Sequence, residues 1–329
     1  MSKKFSLKTT LLVFLTLAAL FGIGFYAYHN TDLPDIINNF GYAPETAIAN
    51  LATDLDLTDK GKTIFYASRP ALEDSDAFNE HCRSHDEKIA VLGCYTTKKI
   101  YIYNSDDAEL SGVIESTAAH ELLHAAWDRL SEDEKSRLSP ELNSVYQTYH
   151  DALAEDLSIY DDAAQLDELH SRIGTQIPFN NLPKTLQEHY KKYFKNYDRV
   201  ITYYNDYIEP FRELQEEQDA LREQLEDEQA DIDYRSQEYY QAAERLSKLI
   251  DEFNRCAETA NCFRTDAEFN ARRATLVVEQ NKLEDEYNSI NDAIESYNQK
   301  VEEYNKSVLR TQDLENAINS NAKLNERIN

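Results

Sequence analysis

The stretch STAAHELLHAAWDRL, Ser116–Leu130, sets two histidines four residues apart with a glutamate directly after the first. On a helix, positions i and i+4 share a face. His120 and His124 can then each turn one imidazole nitrogen toward a single ion, at about 2.0–2.1 Å for zinc. Glu121, rotated by about 100° from His120, brings a carboxylate beside that ion, where it can take a proton from water the ion has acidified. The flanking Thr117, Ala118, Ala119, Leu122, Leu123, Ala125 and Ala126 are uncharged. A stray charge there would compete for the ion or shift these pKa values. The plain alternative is a buried helix that carries two histidines for packing.

The HELLH segment in its uncharged helix resembles the zincin class of zinc metallopeptidases, over roughly Lys88–Thr175. The resemblance implies one Zn2+ ion, with His120 and His124 as ligands and Glu121 as the proton-transferring group. It implies a peptide or protein substrate. The metzincin continuation needs a glycine and then a third histidine; here Trp127 and Leu130 stand in those places. The gluzincin arrangement, with a glutamate from a following helix, is the expectation that remains. QLDELHSRIGTQIP, Gln165–Pro178, offers Glu168, with Gly174 placed to end its helix. Asp167 and His170 are the alternatives. Glu168 and His170 are two apart and face different ways on a helix, so Glu168 is preferred as third ligand. His170 is then expected to act on the oxyanion of a tetrahedral intermediate, or to orient a ligand. Zincins hold substrate against a strand edge by β-augmentation. Ile100–Asn104 is the strand expected to do this, through Ile100, Tyr101, Ile102 and Tyr103, unless it is a core strand.

The elements that must position these residues divide the chain of 329 residues. The apolar run Leu11–Tyr28 is uncharged, preceded by Lys3, Lys4 and Lys8 and followed by Asp32 and Asp35. It reads as a membrane anchor within residues 1–30, with the bulk of the chain outside the cytosol, or as a cleaved signal peptide. Cys82, Cys94, Cys256 and Cys262, an even number in an exported chain, read as disulfides. Near-neighbour pairing, Cys82–Cys94 and Cys256–Cys262, is the simplest connectivity. A second metal group at His81, Cys82 and His85 is the rival use of Cys82. With 34 Lys+Arg against 61 Asp+Glu, the net charge of −27 speaks against nucleic acid as a partner.

Residues 31–210 read as an α+β, zincin-like catalytic domain. Lys62–Ser68 reads as a strand and Lys88–Asn104 as a hairpin turning at TTKK. Helices are expected at Val113–Leu130, at Ser131–Asp156 with a break near Pro140, at Asp161–Arg172, and as one long helix over Leu182–Pro210. Its stripe of Leu186, Tyr190, Tyr193, Tyr197, Val200, Tyr204 and Tyr207 is expected to pack on the core.

Residues 211–329 contain neither glycine nor proline. Leu221, Leu225, Ile232, Tyr239, Ala242, Leu246, Leu249 and Phe253 fall on a ladder of three- and four-residue steps whose remaining rungs, Glu228 and Arg235, are charged, while Leu283, Tyr287, Ile290, Ile294, Tyr297, Val301, Tyr304 and Val308 fill every rung of theirs. That spacing predicts an all-α antiparallel coiled-coil hairpin whose tip, CAETANC, is closed by a disulfide. The hairpin can take a protein partner. The competing function is accordingly a cell-surface coiled-coil interaction protein built on an inactive or structural zincin-like domain.

Overall fold

The computed structural model describes residue 17 and residues 32–82, 91–105, 107–153, 157 and 162–320. They belong to two compact units: the chain up to Pro210 with the chain from Leu314 on, and Phe211–Asp313.

The first unit is mostly helical around one small sheet. Helices α1 (Leu33–Asn39), α2 (Thr46–Asp54) and α3 (Asp59–Ala67) lead into strand β1 (Ala71–Glu73), helix α4 (Ser75–His81) and the hairpin β2 (Gly93–Thr96) and β3 (Lys99–Tyr103). Helix α3 corrects the strand expected at Lys62–Ser68. Thr58 caps it by accepting from the Gly61 N–H. Its buried positions Gly61, Ile64, Phe65 and Ala67, with the C-cap Ser68, show no strand-like alternation. The β2–β3 turn is the expected one, Thr97 and Lys98 both taking positive φ, as a two-residue hairpin turn requires.

Strand order is β1-β3-β2, with β1 parallel and β2 antiparallel to β3. Strand β3 is therefore central, and its side chains feed two cores. Ile100 and Ile102 join the main core, whereas Tyr101 and Tyr103 pack with Phe78 and Cys82 under α4.

Helix α5 (Val113–Asp128) lies between the sheet and α8, buried on nearly every face. Around it run α6 (Glu132–Thr148), α7 (His150–Leu153), α8 (Asp162–Gln176) and α9 (Lys184–Tyr190). Helix α6 passes through Pro140 without the expected break. The carbonyl that proline leaves unsatisfied is that of Ser136, which is exposed and open to water. Helix α8 continues past Gly174, which does not terminate it. A Cβ at Gly174 would lie 2.4 Å from Leu123 Cδ1 and 2.6 Å from Tyr190 Cε1. That glycine lets α8 approach α5 closely. The helix expected over Leu182–Pro210 is interrupted where Phe194 bridges back to Leu57. It resumes as α10 (Tyr197–Glu258), which runs through Pro210.

Helix α11 (Asp266–Ile318) follows. Its last turns are buried at Leu314 and Ile318, and Ser320 exchanges hydrogen bonds with Asn79 of α4. In the second unit α10 and α11 pair antiparallel, through Arg235–Glu286, Glu228–Lys300 and Gln218–Thr311. The disulfides Cys82–Cys94 and Cys256–Cys262 are both present. The seam follows the expected ladder at most rungs, with Leu246 and Ile290 buried on it, and departs from it at three, although the Tyr287 ring still packs against Tyr239. Tyr287 is 51% exposed, Ile294 38% and Leu249 50%, while Glu286, Ala293 and Ile250 turn inward in their place.

The single-pass membrane localisation expected from the sequence is corrected here. No helix among the described residues is long and apolar enough to cross a membrane. Leu11–Tyr28 lies, Leu17 apart, outside the described residues, as does His85.

The unequal burial of two rungs sets an expected outcome. Ile290 is 6% exposed, so Ile290→Ala should cost about 2 kcal/mol or more, while Ile294→Ala should stay within about 0.5 kcal/mol. Urea unfolding of the two variants checks this; equal losses would return Ile294 to the seam.

Candidate metal centre

Helix α5 carries His120, Glu121 and His124 into the interior because its other positions are small or apolar. Ala118, Ala119, Ala125 and Ala126 are essentially fully buried and let the sheet and α8 close on it. Helix α8 brings Glu168 to the same place. Nε2 of His120 and Nε2 of His124 are 3.0 Å apart. Glu168 Oε2 lies 3.4 Å from the second, and Glu168 Oε1 3.8 Å from the first. Donors about 2.0–2.1 Å from a tetrahedral ion are separated by about 3.3 Å. The three side chains thus form a group that could hold a metal ion, and their ligand atoms all lie within 4.8 Å of one another.

The surroundings prepare these donors. Asp167 accepts at 2.8 Å from Nδ1 of His124, which turns Nε2 toward the group, where a metal ion would displace its proton. Burial opposes the charged form of His124, but its bonds to Asp167 and Glu168 outweigh that and raise its pKa well above the ordinary value. Burial lowers His120 to about 4, with His124 and Arg172 adding to the effect against Glu168, so this imidazole is neutral at pH 7. Burial would raise Glu168, yet His120, His124 and Arg172 together hold it below the usual carboxylate range.

Glu121 is 4% exposed, and its Oε2 has no hydrogen-bond partner among the described residues. Burial pushes it up to about 7, with Glu168 and Asp167 contributing and His124 opposing. A carboxyl poised near neutrality is suited to taking and returning a proton. Strand β2 lies directly over it. A Cβ at Gly93 would sit 2.8 Å from Glu121 Oε1 and 2.6 Å from Thr117 Cγ2. Sequence reasoning passed over Gly93; its one signal is a glycine inside a strand, which marks a close approach.

Two expectations change. Ile100, Tyr101, Ile102 and Tyr103 are buried in the central strand, both of whose edges are paired, so they cannot add a substrate strand. Among the described residues β1 and β2 are both edge strands, and β2 is the one that lies against Glu121. Thr96 and Lys99 flank a two-residue turn and pair by hydrogen bonds, as does Leu92 with Tyr103. Alternation along an antiparallel ladder then leaves the backbone groups of Gly93 and Tyr95 facing outward.

His170, expected as an oxyanion donor or a ligand-orienting group, is fully buried and turned elsewhere. Its Nε2 is 2.8 Å from Nε2 of His189, and its ring packs on Trp127. Asp167 orients His124 and stands outside the ligand group. His81, from the rival group, stacks on Tyr101 at 4.1 Å, and Cys82 is consumed by its disulfide.

Two outcomes follow from this geometry. Gly93→Ala should push the Glu121 carboxylate aside and lower any Glu121-dependent turnover by about 10²-fold, with metal content unchanged; a normal rate would show that the strand yields instead. The second concerns His189, which is held down to about 3, by burial first and by Lys192, Lys60 and Arg137 against Glu134. An unfolded histidine titrates near about 6.5. Because the folded value is the lower one, the stabilisation is complete above about pH 6.5 and is lost as pH falls toward about 3. The loss is at most about 1.4 kcal/mol per pH unit for one proton. Thermal melts in chelator at about pH 7 and about pH 4.5 should show His189→Gln losing less stability than the parent; parallel losses would discharge His189.

Set beside known protein families, curated proteins and solved structures, the chain finds no match in any of them.

Proposed function

We propose that this protein is a zinc-dependent hydrolase of zincin type that cleaves peptide bonds. The observation that carries the reading is the unpartnered, buried Oε2 of Glu121 beside the converging donors of His120, His124 and Glu168. A purely packing role for this helix gives no reason to bury a carboxylate oxygen without a partner, since that costs several kcal/mol unless the group is protonated or engaged. The donor set of two imidazoles and one carboxylate suits zinc with one position left open.

Zinc held there supplies Lewis acidity, which acidifies water and polarises a carbonyl. The remaining work falls to this chain's own residues. Asp167 holds the His124 ring by Nδ1 so that Nε2, its proton displaced by the ion, is the ligating nitrogen. Glu121 accepts the proton of the attacking water and passes it to the departing amine nitrogen. The outward backbone groups of Gly93 and Tyr95 suit an extended peptide laid along β2 as an added strand. Strand β2 thereby takes the role first expected of β3.

A second reading, a coiled-coil interaction protein, draws support from Tyr240, Val278 and Ile294, large apolar or aromatic residues left exposed on the hairpin.

The deciding measurement pairs metal content with peptide cleavage. Glu121→Gln should retain stoichiometric zinc while cleavage falls by about 10²–10⁴-fold. His120→Ala should lose both. A purified protein that takes up no zinc, or a Glu121→Gln variant as active as the parent, would end the hydrolase reading and leave the interaction protein.

A further inference from the structure

Glu168 is held from two sides. Its Oε1 accepts from Arg172 Nε at 2.6 Å, one helical turn further along α8. Its Oε2 lies 3.4 Å from Nε2 of His124, whereas Oε1 stands 3.8 Å from Nε2 of His120. The Arg172 side chain is itself largely buried, at 18% exposure, and Glu168 at 9%. The two carboxylate oxygens therefore have different surroundings. Oε1 is engaged by a guanidinium at 2.6 Å and only distantly approached by His120, whereas Oε2 lies toward His124 with no guanidinium on it.

From this asymmetry we infer that Arg172 is a positioning residue that makes Glu168 a one-oxygen ligand, Oε2 taking the metal and Oε1 being kept from it. The inference rests on the metal-site reading above. Its physical basis is charge. A dication drawn toward the midpoint of the carboxylate would approach the Arg172 guanidinium, and like charges in a weakly screened interior repel strongly. Arg172 also takes up electron density at Oε1, which leaves Oε2 a weaker donor and the ion a stronger Lewis acid. The consequence concerns coordination number. Two imidazoles and a two-oxygen carboxylate would fill four positions; with one oxygen, three are filled and the fourth stays open, as catalysis requires. The spacing suits the task, since a glutamate followed four residues later by a cation is the favourable order on a helix. Arg172 touches neither water nor substrate in this scheme and acts through Glu168.

Cobalt(II) reports coordination directly, because four-coordinate tetrahedral Co2+ absorbs visible light much more strongly than five- or six-coordinate Co2+. The full-length protein, its Arg172→Met variant and its Arg172→Lys variant are each titrated with Co2+, with affinity measured by chelator competition. The parent should show the intense tetrahedral bands. Arg172→Met should show weaker bands of higher coordination, and zinc-dependent cleavage lower by about 10–100-fold. Arg172→Lys, which keeps a cation on Oε1, should restore the parent spectrum; it also serves if Arg172→Met fails to fold, since weak bands with lysine would overturn the inference. An Arg172→Met spectrum like the parent's overturns it too, even if affinity falls, because Glu168 would then bind through one oxygen without help. A parent that binds no Co2+ or Zn2+ brings down the metal-site reading itself, a result distinct from the others.

Discussion

A buried carboxylate in contact with two imidazoles and a guanidinium is the constraint on which the first unit turns. Taking Glu168 out of water is costly, and only its partners make that burial tolerable. Those partners come from two helices, so α5 and α8 must meet at a fixed depth and rotation. The alanines of α5 and the bare Gly174 of α8 provide the depth. Leu123 and Tyr190, packed at that crossing, provide a firm wall. Asp167 and Arg172 then sit one residue before and four residues after Glu168, which fixes the rotation. Moving α8 by one residue would break all of these contacts together.

The histidine pair behind the site has a different function. His170 and His189 bond to each other in a space lined by Trp127 and Tyr190. Burial, first, and then His189 keep His170 far below the ordinary histidine pKa, against the pull of the Leu123 carbonyl. A neutral imidazole turned away from the ligands and bonded to a second one joins α8 to α9. It adds no charge to a region that already holds Glu168, Asp167 and Arg172.

The motif on α5 was legible because its chemistry and its helical period coincide in nine residues. Glu168 was legible for a related reason, being a carboxylate on a downstream helix ahead of a glycine. What escaped is what depends on neighbours distant in sequence. Lys62–Ser68 has the composition of a strand, yet a Thr58 cap and contacts with later helices fold it as α3. Which of two strands would be central could not be read from Lys88–Asn104 alone, because β1 inserts beside β3 from outside the hairpin. Arg172 carries no signal at all until Glu168 is placed, and Gly93 none until Glu121 lies beneath it. In the hairpin, spacing gave the period and most of the phase, Leu246 and Ile290 being buried on the expected ladder. What it missed is local: Glu286 turns inward to pair with Arg235, itself a rung of the ladder, and Tyr287 beside it is left half exposed.

Strand β2 has only four residues and one paired edge, which by itself is a weak platform. Its two faces make up the deficit by different means. On one face Cys94 is bonded to Cys82 at the end of α4, within the small core of Phe78, Tyr101 and Tyr103. On the other, the Tyr95 hydroxyl donates to Asp128 at 2.8 Å and accepts from Arg129, which in turn grips Asp35 of α1. Burial raises the Tyr95 hydroxyl to about 12, with Asp128 adding to the effect against Arg129, so it stays a donor throughout the neutral range. Gly93 comes just before these anchors, where no side chain can fit, directly above Glu121. The strand is thus fixed at Cys94 and Tyr95 while its outward backbone groups pair with no strand among the described residues. A short strand held in this way can keep an open edge beside a buried carboxylate without closing onto it.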